Sequence, residues 1–156
     1  MPKNLSAILG AFVLLSGWPL PAEGSAADFV GTWKLASIEA RSEAGEWEAS
    51  SLQMTGTPVG ILIYDSVGNM AVQITGNPRG QENSPKVPGM VNGYFAYYGS
   101  YEVDPQAGTV THHRRGHINP DLGSLSVVRL FSFSEDVLTL TVAPERRMRL
   151  NWVRMR

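Results

Sequence analysis

The feature that most constrains this chain is a series of short runs in which apolar and polar side chains alternate, each run ended by a turn signal. Alternation with a period of two is the pattern of a half-buried β-strand. The runs cover Phe29–Ala40, Gly60–Asp65, Met70–Thr75, Tyr97–Val103, Thr109–Arg115, Ser126–Phe133, Val137–Val142 and Arg147–Met155. Between them stand Ser66-Val67-Gly68-Asn69, Asp104-Pro105-Gln106-Ala107-Gly108, Ser134-Glu135-Asp136 and Ala143-Pro144-Glu145, residues that favour tight turns. No intervening segment has the pattern of a crossover helix, so consecutive strands pair antiparallel. A meander of this kind removes its two edges by closing on itself. The expected fold is all-β, an eight-stranded antiparallel up-and-down β-barrel. Such a barrel holds its own side chains and one small ligand.

Two breaks interrupt the meander. Arg41–Pro58 is polar and carries Trp47, a candidate to fold back over the barrel mouth. Gly76–Asn92 is the longest stretch without a period, hence a candidate lid, with a short helix expected near Val87–Tyr94. A loop is expected over His117–Gly123.

The N-terminus has a different character. Lys3 precedes an apolar run from Leu5 to Leu15, Ser16-Gly17-Trp18-Pro19 breaks it, and Gly24-Ser25-Ala26 and Ser25-Ala26-Ala27 offer small-x-small cleavage sites. This is the layout of a secretory signal peptide. We expect residues 1–26 to be removed and residues 27–156 to form the barrel domain, exported to a periplasm or to the medium without stable membrane insertion. The formal net charge of −1 lacks the basic excess of a nucleic-acid binder. With no cysteine in the chain, disulfides, thiol chemistry and Cys-based metal sites are excluded.

Strand parity assigns faces. Val127, Arg129, Phe131 and Phe133 share one face of their strand, and the two phenylalanines draw Arg129 inward. Val110 does the same for His112 and Arg114, and Tyr97, Gly99, Tyr101 and Val103 form the matching set next door. Around Tyr64 and Gln73 both faces hold apolar residues, so parity is ambiguous there. Arg129, His112, Tyr101, Gln73, Tyr64 and Phe131 are therefore the candidate ligand-binding residues. An inward guanidinium needs a partner, and none of the strands offers an inward carboxylate, so an anionic group on a ligand is a natural complement. The alternative is that Arg129 lies across an aromatic ring and closes one barrel end. His112-His113-x-x-x-His117 has metal-like spacing, but adjacent residues on a strand point to opposite faces, so no metal site is expected. No dinucleotide fingerprint, P-loop or nucleophile elbow is present, and no cofactor is expected. Gly31-Thr32-Trp33 in the first strand suits a barrel base, with Gly31 admitting a close backbone neighbour and Trp33 plugging the end. The arginines of the last strand read as a solvated face.

Taken together, Gly31-Thr32-Trp33, Gly60-Ile61-Leu62-Ile63-Tyr64-Asp65-x-x-Gly68-Asn69-Met70-x-Val72-Gln73, Tyr97-x-Gly99-x-Tyr101-Glu102-Val103, His112-His113, Asn119-Pro120-x-x-Gly123 and Arg129 occur in an order that resembles the lipocalin-like domain family of bacteria and fungi. The resemblance implies a calycin-type barrel with a central cavity for a small, mostly apolar molecule. The second lipocalin motif, of Thr-Asp-Tyr type, is missing, and both Arg149 and Arg154 are candidates for the C-terminal arginine that covers the base tryptophan. The expected function is binding of a small hydrophobic or amphipathic, conceivably anionic, molecule. The alternatives are an isomerase or cyclase, with His112 as acid/base and Arg129 as electrostatic stabiliser, and a ligand-free structural or stress-related envelope protein.

Overall fold

The computed structural model describes residues 24–50, 56–77 and 89–156. Nine strands follow one another: β1 (Gly31–Arg41), β2 (Trp47–Ala49), β3 (Thr57–Tyr64), β4 (Asn69–Asn77), β5 (Tyr94–Asp104), β6 (Thr109–His117), β7 (Ser126–Ser134), β8 (Val137–Val142) and β9 (Met148–Arg154). Each of β3 to β8 pairs with the next, β1 pairs with β3, and β1 also pairs with β9. That last pairing, antiparallel from Trp33–Arg154 to Ala40–Met148, closes an eight-stranded barrel. Strand β2 is not one of the eight barrel strands; it pairs antiparallel with the last three residues of β1, Glu39 to Arg41. Its Trp47 lies 4.4 Å from Arg149 and 5.0 Å from Arg41, ring centroid to guanidinium carbon, and Arg149 also pairs with Glu39.

The turns are built as their residues dictate. In the β3–β4 hairpin the Asp65 carboxylate accepts from Val67 N at 3.0 Å and Asn69 N at 2.7 Å, and Gly68 takes a left-handed φ of 89°. The Tyr101 hydroxyl donates to Asp65 O at 3.0 Å, tying this turn to β5.

The base of the barrel differs from expectation in one respect. Phe29 does not begin the first strand but ends a one-turn helix, α1 (Ala26–Phe29), in which Ser25 donates from both its backbone N and its hydroxyl to the Asp28 carboxylate. The helix carries Phe29 under the barrel, where it is fully buried and meets Tyr64, Phe131 and Phe133 edge-on at centroid distances of 5.3, 5.0 and 5.1 Å.

Trp33 is also fully buried, and its indole N donates to Phe29 O at 2.8 Å. Arg154 settles which arginine covers it: the guanidinium carbon stands 4.1 Å from the ring, Nη1 donates to Val30 O at 2.7 Å and Nη2 to Asp28 O at 2.6 Å. The basic last strand is thus not simply a solvated face. Gly31 owes its identity to the same residue. At φ 143° it has a backbone that side chains rarely adopt, and a Cβ there would lie 2.7 Å from Arg154 Nη1. The close neighbour that Gly31 admits is a guanidinium, not a backbone.

Two bulges reset the parity of the inner face. In β1 the register shifts between Leu35 and Ser37, so Trp33, Leu35 and then Ile38 are buried. Between β5 and β6 it shifts at Tyr98/Gly99: Gly99 faces Arg114 and Tyr97 faces His117, which leaves Arg115 as the extra residue. His117, expected in a loop, becomes the last residue of β6 and stacks on Tyr97 with ring planes 7° apart.

The lid expected over Gly76–Asn92 and the signal peptide fall largely on residues outside those described. Of the helix expected near Val87–Tyr94, residues 89–94 are described, and they form a tight turn in which Val91 and Tyr94 exchange backbone hydrogen bonds at 2.9 and 3.0 Å.

The base is expected to dominate stability. Trp33→Ala should cost about 3–5 kcal/mol as a large-to-small core change. Arg154→Met should cost about 1–3 kcal/mol, because it frees two carbonyls under the barrel. Urea titrations followed by tryptophan fluorescence measure both, and an Arg154→Met protein as stable as its parent would remove the arginine from the account of the base.

Candidate functional site

The strand ends at Arg41, Asn77, Tyr94, His117, Ser126, Val142 and Met148 mark the mouth of the barrel, opposite Trp33. Between base and mouth lies a cavity of about 240 Å³. Its walls are mainly apolar and include Leu62, Val72, Ile74, Leu140 and Leu150, with Trp152 on the same wall. Three further side chains bring polarity to it: Tyr97 from β5, His112 from β6 and Arg129 from β7.

Register explains why these three meet. Tyr101 faces His112, Val110 faces Arg129, and Arg129 faces Val142, and directly opposed residues share a face. Val110 is fully buried, so its partner Arg129 points inward. Arg129 Nη1 donates to Val128 O at 3.0 Å, and among the described residues no carboxylate pairs with this guanidinium. Arg114, also on the inner face of β6, lies over the Tyr97 ring at 5.5 Å and donates from Nε to Leu125 O at 2.7 Å.

His112 is held from both sides. Its Nε2 is 2.7 Å from the Tyr64 hydroxyl, and its Nδ1 is 2.7 Å from the Tyr97 hydroxyl. Burial, reinforced by the positive charges of Arg129 and Arg114, pushes its pKa down to about 3, so the ring is neutral at pH 7. Burial also raises the pKa of both tyrosines, which keeps their protons on. A neutral imidazole donates from one nitrogen and accepts at the other. Tyr64–His112–Tyr97 is therefore a closed hydrogen-bonded chain rather than a free base.

The remaining candidates separate. Gln73 was expected to line the interior, and the structure corrects this. It sits on the outer face of β4, exposed, where Oε1 accepts from the Tyr94 hydroxyl at 2.7 Å. Met70, Val72 and Ile74 take the inner positions, because their larger apolar surface outweighs that of Ala71 and Gln73. Tyr101 and Phe131 are buried, but they belong to the aromatic base around Phe29 and do not line the cavity. Tyr64 is buried beneath His112 and reaches the cavity only through it. The histidines diverge as strand geometry requires: His113 points outward, with Nδ1 2.9 Å from Ser126 Oγ and Nε2 3.4 Å from Glu102. Among the described residues no group of three His, Cys, Asp or Glu stands close enough to share a metal ion. Nor, among the described residues, is any helix long and apolar enough to cross a membrane.

The sequence reading did not single out Tyr97 or Trp152 as site residues. Tyr97 was legible, since it shares the parity of Tyr101. Trp152 was masked by the arginines around it in a strand that read as basic.

The neutral His112 generates a prediction for stability against pH. Its folded pKa lies far below the unfolded value of about 6.5, so below that value the unfolded chain binds the extra proton. The stabilisation is fully present above pH 6.5 and declines as pH falls toward 3. The slope from this one group approaches about 1.4 kcal/mol per pH unit. Between pH 6 and pH 4, urea titrations should show the parent protein losing about 2–3 kcal/mol more than His112→Gln does. Equal losses would mean that His112 carries a proton in the folded barrel.

The lipocalin-like domain family model matches residues 30–153, from the residue before the Gly31-Thr32-Trp33 motif to the residue before Arg154. No curated protein matches the chain. The matched span contains the nine described strands but for the last residue of β9, and every described residue that lines the cavity. With its closed antiparallel barrel, its base tryptophan and a sequence matched over most of its length, the chain belongs to the lipocalin-like domain family.

Proposed function

We propose that this protein is an exported binder that holds one small hydrophobic or amphipathic molecule in the cavity above His112, with Arg129 available to an anionic group. The observation that carries this reading is the composition of the cavity: an apolar chamber into which an arginine without a carboxylate partner, among the described residues, projects from β7. Its volume of about 240 Å³ corresponds to roughly eight water-sized groups, which suits a medium-chain or single-ring molecule. Membership of the lipocalin-like family supports a ligand-binding barrel. The isomerase or cyclase reading gains nothing from His112, because both ring nitrogens are engaged and a group with so low a pKa is a weak base at pH 7. The structural-protein reading is disfavoured by the unfilled cavity.

Export rests on the N-terminal apolar run and its small-residue sites. Asp28 O holds Arg154 and Phe29 fills the base, so the residues that the base needs begin beside the cleavage region. Intact-mass measurement of the product should place the first residue between about position 25 and position 28. Retention of Met1 on a membrane-bound product would contradict this.

Binding is tested by calorimetry with octanoate and 2-octanone. Both should bind at one site. Arg129→Met should weaken octanoate by about tenfold or more, since charge-assisted hydrogen bonds contribute roughly 1.5–3 kcal/mol, with a smaller loss for the ketone. If neither compound binds, the cavity is not a ligand site. If Arg129→Met leaves octanoate affinity unchanged, the arginine is structural.

A further inference from the structure

The outward face of the barrel changes character around its circumference. On β8, β9 and β1 outward polar side chains satisfy one another: the Thr139 hydroxyl donates to Asn151 Oδ1 at 2.8 Å, and Asn151 Nδ2 donates to Ser37 Oγ at 2.8 Å. On β3, β4 and β5 the outward side chains are largely apolar. Register sets Ile63 beside Ala71, Ala71 beside Tyr98 and Tyr98 beside Gly116, one row across four strands. Ile63 is 40% exposed and Tyr98 59% exposed, and Val59 on the same face of β3 is exposed as well. Single exposed apolar residues need no explanation, but a contiguous patch of them marks an interaction surface.

Tyr98 is the centre of the row, and it is held in place. Its ring lies across Gly116, where a Cβ would collide with Cε1, so the glycine gives the ring its seat. A large aromatic side chain that is fixed before contact loses little conformational entropy on docking, the property of an interface anchor. Two open grooves meet at Tyr98 and Ala71. The first, about 370 Å³, also takes in Ile63, Asp65 and Arg115, and the second, about 320 Å³, takes in Gln73 and Ala96. Asp65 follows the last residue of β3 and Arg115 lies on β6, so the two stand at opposite margins of the row. Among the described residues neither forms an ion pair.

We propose that this face is a self-association surface, on which a second copy of the chain docks about a two-fold axis with Tyr98 of each copy seated in the groove of the other. The charges select this occupant. A two-fold interface presents the same patch from both sides, so what stands at one margin meets what stands at the other. An apolar strip with a carboxylate at one margin and a guanidinium at the other is complementary to itself after half a turn. Arg115 of each copy then meets Asp65 of the other, twice per dimer, and the apolar row is covered between them. The row is only four strands across, at about 4.8 Å per strand. That lies at the small end of specific interfaces and suits a reversible dimer with a dissociation constant on the order of 10 μM. The contact is made on the outside of the barrel and does not depend on the binding reading above.

The test is sedimentation velocity on the full processed chain from about 1 μM to about 300 μM, a range that brackets such a constant. The sedimentation coefficient should rise with concentration from the monomer's value toward the dimer's. Tyr98→Ser and Arg115→Glu should each weaken association by about tenfold or more, the first by removing the anchor and the second by setting like charges together. Asp65→Asn keeps the acceptor oxygen that the β3–β4 turn needs and should weaken association less than Arg115→Glu does. Circular dichroism and urea titration confirm that the variants are folded. Arg115 is exposed, so its variant carries the test should loss of the Tyr98 ring disturb the sheet at Gly116. A protein that stays monomeric over the whole range would overturn the proposal. So would a dimer that both Tyr98→Ser and Arg115→Glu leave intact, because its interface lies on another face.

Discussion

The structure depends on the seam at which β1 meets β9. An open eight-stranded sheet would expose two rows of unpaired backbone groups, and among the described residues no helix is long enough to cover either. Pairing the first strand with the last removes both edges at once, and it does so where the largest side chains are. Trp33 is registered opposite Arg154, and Leu35 opposite Trp152. The same few residues therefore close the hydrogen-bond ladder, fill the base and cap the carbonyls of the helix beneath it. Gly31 is the concession that makes this possible, because any side chain there would occupy the path of the guanidinium.

Much of this was legible in the residues. Alternation located the barrel strands to within a few positions, and the inner faces of β5, β6 and β7 followed from single unambiguous apolar residues such as Val110 and Phe131. Where both faces carried apolar side chains, as around Gln73, the pattern held no answer, and relative apolar area decided instead. The β6 bulge could not be read at all. One extra residue, Arg115, reverses the parity beyond it and turns His117 onto Tyr97, yet nothing in Arg114-Arg115-Gly116 announces the shift. It arises from how the β5 and β6 backbones pack: at Gly99 a Cβ would lie 2.0 Å from His113 O. Phe29 was assigned to a strand for a related reason. An apolar residue before Gly31 continues the alternation, and only the Ser25–Asp28 cap marks it as the end of a helical turn.

The candidate site has a polarity that its individual residues conceal. Tyrosine and histidine each donate and accept, so a list of them says nothing about direction. Burial holds the arrangement in place: among the described residues the Tyr64 hydroxyl meets His112 Nε2, and the ring is gripped on its other side by Tyr97. The arginines contribute in two ways, as donors near the cavity and as positive charges that add to burial in keeping His112 neutral.

The span between the two halves of the base has a consequence for biosynthesis. The contacts of Arg154 with the carbonyls of Val30 and Asp28 join residues 124 and 126 positions apart, and the ladder that completes the barrel is contributed by the final strand. Long-range pairing of this kind makes folding slow, because the loop-closure entropy is met before any closing contact forms. A nascent chain that has not yet reached β9 has no seam, no lid on Trp33 and no anchor for α1, however many inner strands it has already made. Closure of this barrel therefore waits for β9, and until that strand is available the polypeptide stays open and threadable.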